Sequence, residues 1–163
     1  MKNKNGFTLI ELLIVVLIIG VLAGVAIPQY RLAAGKSKFA TIKNVAKAIA
    51  DAEERYYIAN NKQYTTDFSA LDVTKPSNAI CGLWGGGKEN NNIKAVRCCL
   101  YINKVNMCLY QYFLKDQPAG YTSGGRLCLV YSGNKKDIPN RICQSETGKK
   151  DGSGDSNYTS YWY

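Results

Sequence analysis

The chain of 163 residues contains no histidine. That absence removes every Ser-His and Cys-His nucleophile couple and every histidine-based metal site. Lysine or carboxylate catalysis would need a paired constellation, and no spacing singles one out, so the reading is a non-enzymatic protein. Cysteine is missing from the first 80 positions, and none of the six that follow forms a Cys-x-x-Cys pair. A four-cysteine zinc site therefore lacks its usual spacing. Acidic residues are scarce, 12 against 21 Lys and Arg, for a formal charge of +9. Scarcest of all is charge between Phe7 and Ile27, where Glu11 is the single ionisable side chain.

That apolar run is long enough to span a bilayer, for which about 20 residues suffice. A charge at the bilayer centre costs at least ~2.5–3.5 kcal/mol on insertion scales, so an intramembrane acid is a functional hypothesis by default. Glu11 stands just beyond a Gly6-Phe7 junction, behind the short basic leader Met1-Lys2-Asn3-Lys4-Asn5-Gly6. Leader, junction, acid and apolar run together resemble the type IV pilin and pseudopilin family. Two plainer readings compete with it. One is a removed secretory signal peptide cut near Gly24-Val25-Ala26. The other is an ordinary single-pass anchor.

The resemblance implies a precursor cut between Gly6 and Phe7 by a prepilin peptidase, with methylation of the new Phe7 amine. Loss of Lys2 and Lys4 lowers the basic count from 21 to 19 and the formal charge from +9 to +7. It also implies three regions: residues 1–6 as leader, 7–28 as a hydrophobic helix that is transmembrane before assembly and filament core afterwards, and 29–163 as amphipathic helix and globular head. Glu11 is then an assembly residue. Its carboxylate and a neighbouring subunit's N-terminal cation neutralise each other away from water, where an unpaired charge is strongly unfavourable. Snorkelling of Glu11 to the headgroups is the competing account. The partners implied are a homo-polymer, the bacterial inner membrane, the peptidase and the pilus assembly machinery. The filament would lie on the cell surface.

Charge counting conflicts with this orientation. Lys2 and Lys4 precede the run, while Arg31, Lys36, Lys38 and Lys43 follow it, which would place the C-terminal side in the cytoplasm. The cysteines argue the reverse. Cys81, Cys98, Cys99, Cys108, Cys128 and Cys143 all lie beyond the run, and an even count there reads as a disulfide framework outside the cytoplasm. Buried free thiols are the alternative at some of these positions. Leader and cysteines together decide for an external head.

Beyond the run, Phe39, Ile42, Val45, Ala46, Ile49, Ala52 and Tyr56 recur at spacings of three and four, one face of an amphipathic helix. The two stretches read as a helix from about Phe7 to Ala59, about 80 Å at 1.5 Å per residue. Pro28 removes a helical donor, so a kink or local opening is expected there. In the family a proline at this place accompanies a helix that bends. Gly20 and Gly24 form a Gly-xxx-Gly face suited to close helix contact. Asn60-Asn61 ends the helix, and Thr66 or Asp67 is the candidate cap of a short turn through Leu71.

Residues 74–92 read as a long loop rich in turn formers. Ala95–Ile102, Met107–Leu114 and Arg126–Tyr131 carry β signals, with a hairpin connection at Asn103–Asn106 and a longer one at Pro118–Gly125. The fold class is α+β, a long helix packed on an antiparallel sheet of three or four strands tied by disulfides. Cys98 and Cys99 are adjacent, so in a strand they face opposite sides and take different partners. Cys81 and Cys108 carry no assignment. Closure of a C-terminal loop by Cys128 and Cys143 is what the resemblance implies, with the intervening residues read as a loop.

Two ligand readings complete the sequence. Asp151, Ser153, Asp155 and Asn157 place oxygens at alternate positions, like the first half of a calcium loop, but Ser156 and Trp162 stand where glycine and glutamate belong. A flexible polar turn is the plainer account. Lys135, Lys136, Arg141, Lys149 and Lys150 beside Tyr158, Tyr161, Trp162 and Tyr163 suit phosphates and bases, and invite DNA binding. A solvated surface, with the aromatics pinning the C-terminus onto the sheet, is the alternative. The leading function is a structural pilus subunit; a type II secretion pseudopilin and a DNA-binding or uptake module are the others.

Overall fold

The computed structural model describes residues 6–65, 67–74, 80–85, 93–115 and 123–163. The leader residues 1–5, Thr66, and most of the expected connection at Pro118–Gly125 lie outside them. Two compact units divide the chain, residues 1–34 and 35–163.

Helix α1 (Leu9–Ala59) contains Pro28 in its interior. In the first unit its apolar side chains are exposed on all sides, and the helix is long and apolar enough to cross a membrane. In the second unit one stripe is buried: Gly35, Phe39, Ile42, Ala46, Ile49, Ala50, Ala52 and Glu53. The three–four spacing of the apolar members gives the stripe; Glu53 is the one acid on it. The helix ends where Lys62 N donates to Tyr57 O at 3.1 Å, with Asn61 and Lys62 at φ 52° and 58°. This six-to-one bond around a left-handed residue is the Schellman stop, and asparagine tolerates it better than most. Asp67 then caps a 3-10 turn (Phe68–Ala70), its carboxylate accepting from Ser69 N.

The head carries a fully antiparallel six-stranded sheet: β1 (Ile80–Gly85), β2 (Ile93–Ile102), β3 (Val105–Tyr112), β4 (Arg126–Val130), β5 (Ser153–Gly154) and β6 (Thr159–Trp162). The order across it is β1-β2-β3-β4-β6-β5. A sheet of six strands replaces the expected three or four, because β1 lies inside the segment read as loop and the tail folds back as β5 and β6. The β2–β3 turn is Asn103-Lys104, with φ of 50° and 66° between the paired Ile102 and Val105. Two positive φ values mark the tight turn whose twist matches the flanking strands.

A second helix, α2 (Ile138–Thr147), occupies the stretch expected to be the loop before Cys143. Pro139 lies in its first turn, where the missing amide proton costs nothing, and Gly148 closes it at φ 72°. Across β3 both faces of the sheet are buried. One face includes Val96, Cys98, Met107, Leu109, Cys128, Val130 and Tyr161. The helices cover this face: a Cβ added at Gly35 of α1 would lie 2.8 Å from Ile142 and 3.5 Å from Ile102. The opposite face has its own cluster of Ala95, Cys99, Cys108, Tyr110, Tyr112 and Leu127, with Trp84, Leu129 and Trp162 packed against it.

Candidate functional site

At the start of α1, Thr8 and Glu11 close a capping box. The Glu11 carboxylate accepts from Thr8 N at 2.8 Å and from Thr8 Oγ1 at 2.7 Å, while Glu11 N donates to Thr8 Oγ1 at 3.3 Å. An acid in the first helical turn also complements the positive end of the helix dipole. The sequence reading singled out Glu11 but missed this local bond, although Thr8-x-x-Glu11 ahead of an apolar run is its usual signature. Phe7 is 86% exposed, and Gly6 has open space where a Cβ would stand. The Gly6-Phe7 junction is therefore sterically accessible.

Three disulfides tie the head. Cys81–Cys98 links directly opposed positions of β1 and β2, and Cys99–Cys108 does the same for β2 and β3. The two bridges lie on opposite faces, because Cys98 and Cys99 are successive residues of one strand. Cys128–Cys143 joins β4 to α2. Helix α2 is also bound to α1, by the Lys43–Glu146 ion pair at 2.6 Å and by Lys36 Nζ donating to Ser145 Oγ at 2.8 Å.

The oxygens at 151–157 serve the chain's own turn. Asp155 Oδ1 accepts from Asn157 N and Tyr158 N, Ser153 Oγ bonds Ser160, and Asp151 pairs with Lys135 at 3.1 Å. Gly133 lets this hairpin approach, since a Cβ there would meet Ser156 O at 2.6 Å. No three His, Cys, Asp or Glu side chains among the described residues converge on a common point. Of the basic set, Arg141 lies on α2, Lys135 and Lys136 precede it, and Lys149 and Lys150 follow it. Tyr161 is buried against Cys128 as a β4–β6 pair, and Trp162 stacks on Tyr112 with ring centroids 5.5 Å apart.

Two consecutive acids near the end of α1 hold the connection that follows. Glu54 Oε1 accepts from Tyr64 Oη at 3.0 Å and from Leu114 N at 2.7 Å. Glu53 is buried outright, its Oε2 accepting from Thr65 N at 3.1 Å. Burial pushes the Glu53 carboxyl up to about 7, against the partly offsetting Thr65 bond and with a smaller upward push from Glu54. Burial likewise raises the Tyr64 phenol.

The family model for the prokaryotic N-terminal methylation motif matches residues 1–27. A type IV major pilin protein, PilE1, from Neisseria gonorrhoeae is 35% identical over 118 residues, covering 63% of this chain and 71% of that protein. The chain belongs to the type IV pilin and pseudopilin family. Shorter matches include the type IV wide pilus major component PilA4 of Thermus thermophilus, 41% identical over 71 residues, covering 44% of this chain and 53% of that protein. The type II secretion system core protein G of Pseudomonas aeruginosa is 39% identical over 78 residues, 47% of this chain and 54% of that protein. The chain thus spans about half the length of these last two relatives. No solved structure matches it.

Proposed function

We propose that the chain is the precursor of a structural subunit of a type IV pilus, non-enzymatic and active as a polymer. The carrying observation is the first part of α1, up to Ile27, whose apolar side chains are exposed on every side and whose single acid, Glu11, is capped at the first turn. Such a surface needs lipid before assembly and other copies of the same helix after it. Cleavage between Gly6 and Phe7, methylation at Phe7, and pairing of Glu11 with a neighbour's amine complete the reading. Pro28 is the place where α1 yields during assembly. The subunit waits in the inner membrane and ends in a surface filament serving adhesion or twitching motility, built with the peptidase and pilus machinery.

A type II secretion pseudopilin is the second reading, carried by the match to core protein G. The longer alignment with a major pilin and a head with three disulfides, suited to prolonged exposure, favour the pilus. Filament-borne DNA binding through Lys135, Lys136, Arg141, Lys149 and Lys150, and calcium at Asp151, Ser153, Asp155 and Asn157, are secondary readings. Salt-dependent DNA retention and a calcium-dependent melting shift address them.

The deciding experiment is intact mass and N-terminal sequencing of the chain from sheared surface filaments. Abundant protein beginning at methylated Phe7 supports the pilus. A chain beginning at Ile27, or at Met1 and never leaving the membrane, overturns it.

A further inference from the structure

Glu53 has no role in the assembly reading above. It is a carboxyl on the packed stripe of α1, fully buried, in a position where the other side chains of the stripe are apolar or glycine. One oxygen accepts from the Thr65 amide; the other, Oε1, has no hydrogen-bond partner among the described residues. A buried polar atom left unpaired is a cost that a stable core normally avoids.

The segment covering it is held in an unusual way. Tyr64 and Thr65 are bonded to consecutive carboxylates of α1, Tyr64 Oη to Glu54 and Thr65 N to Glu53. Tyr64 also packs between Tyr57 and Phe113, with centroids 4.6 and 4.3 Å away. Further along, Asp72 pairs with Arg55 in an exposed bridge, a kind worth little. Where this segment faces α1 lies a solvent-open groove of about 300 Å³, lined in part by Ala52, Arg55, Tyr56 and Ala59 of α1 and by Ala70, Leu71 and Asp72. The connection therefore borders a solvent-open groove along one part and a half-satisfied acid at another.

We propose that Glu53 is a proton-operated latch on the connection after α1. When neutral, Glu53 lies dry beneath Thr65 and the connection is closed. When it ionises, water must reach Oε1, and the described contact that would be released is Thr65 N on Glu53, with Tyr64 beside it. Among the described groups, Glu54 on α1 adds a like charge to Glu53, and burial holds the neighbouring Tyr64 phenol protonated. Three residues past β3, the Lys115 amide donates to Tyr64 Oη at 3.2 Å. Opening would change the surface at the end of α1 as the surroundings pass through neutrality. This inference does not depend on the filament reading.

The test is amide exchange at Thr65 in the full chain in detergent micelles, between about pH 5.5 and pH 8, corrected for intrinsic exchange. A fall in protection of about ten-fold for the wild type, with Glu53→Gln flat over the same range, is the expected result. Unchanged wild-type protection, or a Glu53→Gln variant with the wild-type pH dependence, overturns the latch. Should Glu53→Gln fail to fold, carbon-13 titration of the wild-type carboxyl decides. A midpoint near neutrality that tracks Thr65 exposure supports the latch, and one in the ordinary carboxylate range overturns it.

Discussion

Thr8 gives both its amide and its hydroxyl to the same oxygen of Glu11, at 2.8 and 2.7 Å. The one charge in the apolar run is thus hydrogen-bonded by its own chain, without any partner subunit. A capped carboxylate is less costly to hold in a low-dielectric medium than a bare one. Any neighbouring cation therefore meets an acid already oriented by the first turn of α1.

Replacing Glu11 separates processing from polymerisation. Glu11→Ala should leave cleavage after Gly6 largely intact while surface filaments disappear or fall sharply. The measurement is the ratio of mature chain in the membrane fraction to chain in the sheared fraction; normal filaments from this variant would sink the assembly role.

Removing only the Thr8 hydroxyl loosens the first turn. Thr8→Val should cost about 1 kcal/mol locally, about a five-fold rise in exchange at the Glu11 amide, whereas Thr8→Ser should stay near wild type. Micelle-embedded full chain followed by amide exchange reads this directly.

The Cys128–Cys143 bridge encloses a sequence separation of 15 and ties α2 to β4. Serine at both positions should cost about 3 kcal/mol in the chain-entropy account. The Lys43–Glu146 contact would weaken with it, because α2 loses its covalent seat. Denaturant unfolding of the detergent-solubilised chain checks the loss; an unchanged midpoint argues against a stabilising role.

Gly35 marks the close approach of α1 to α2. Gly35→Leu should lower stability by about 1–3 kcal/mol through overpacking against Ile142. Gly35→Ala should be far milder. The atom it meets is the end of a flexible side chain, and alanine gains about 0.8–1.0 kcal/mol of helix propensity. Melting temperatures of the two variants test the contrast.

Glu53 also sets a sign for stability against pH. Its folded value is about 7 and its ordinary value 4.5, so only the unfolded chain releases the proton between them. The folded state binds more protons there, and stability falls as pH rises through that window, levelling below 4.5 and above 7. Glu53→Gln should remove this slope. A wild-type stability that rises across the same window would contradict it.

Much of the architecture was legible because it is local. The amphipathic stripe, the Asn60-Asn61 stop, a hairpin turn within Asn103–Asn106 and the three central strands each follow from periodicity or turn chemistry within a few residues; the turn itself is the shorter Asn103-Lys104. Helix α2 was read as a loop, because Gly133, Asn134 and Pro139 are turn formers when no partner surface is known; in the fold Pro139 sits in a first turn and Gly148 past the last. Strand β1 gave little signal, since Gly82 and Gly85 flank its apolar residues; pairing with β2 and the Cys81 bridge make it a strand.

By itself the sequence determined the unbroken apolar run, its single acid at a Gly-Phe junction, and the opposite facing of Cys98 and Cys99, since all three are properties of neighbouring residues. Only the tertiary structure decided which cysteines meet, because strand register sets Cys81 across from Cys98 and Cys108 across from Cys99. It alone buried Glu53 beneath Thr65, for the environment of an acid depends on what distant chain covers it.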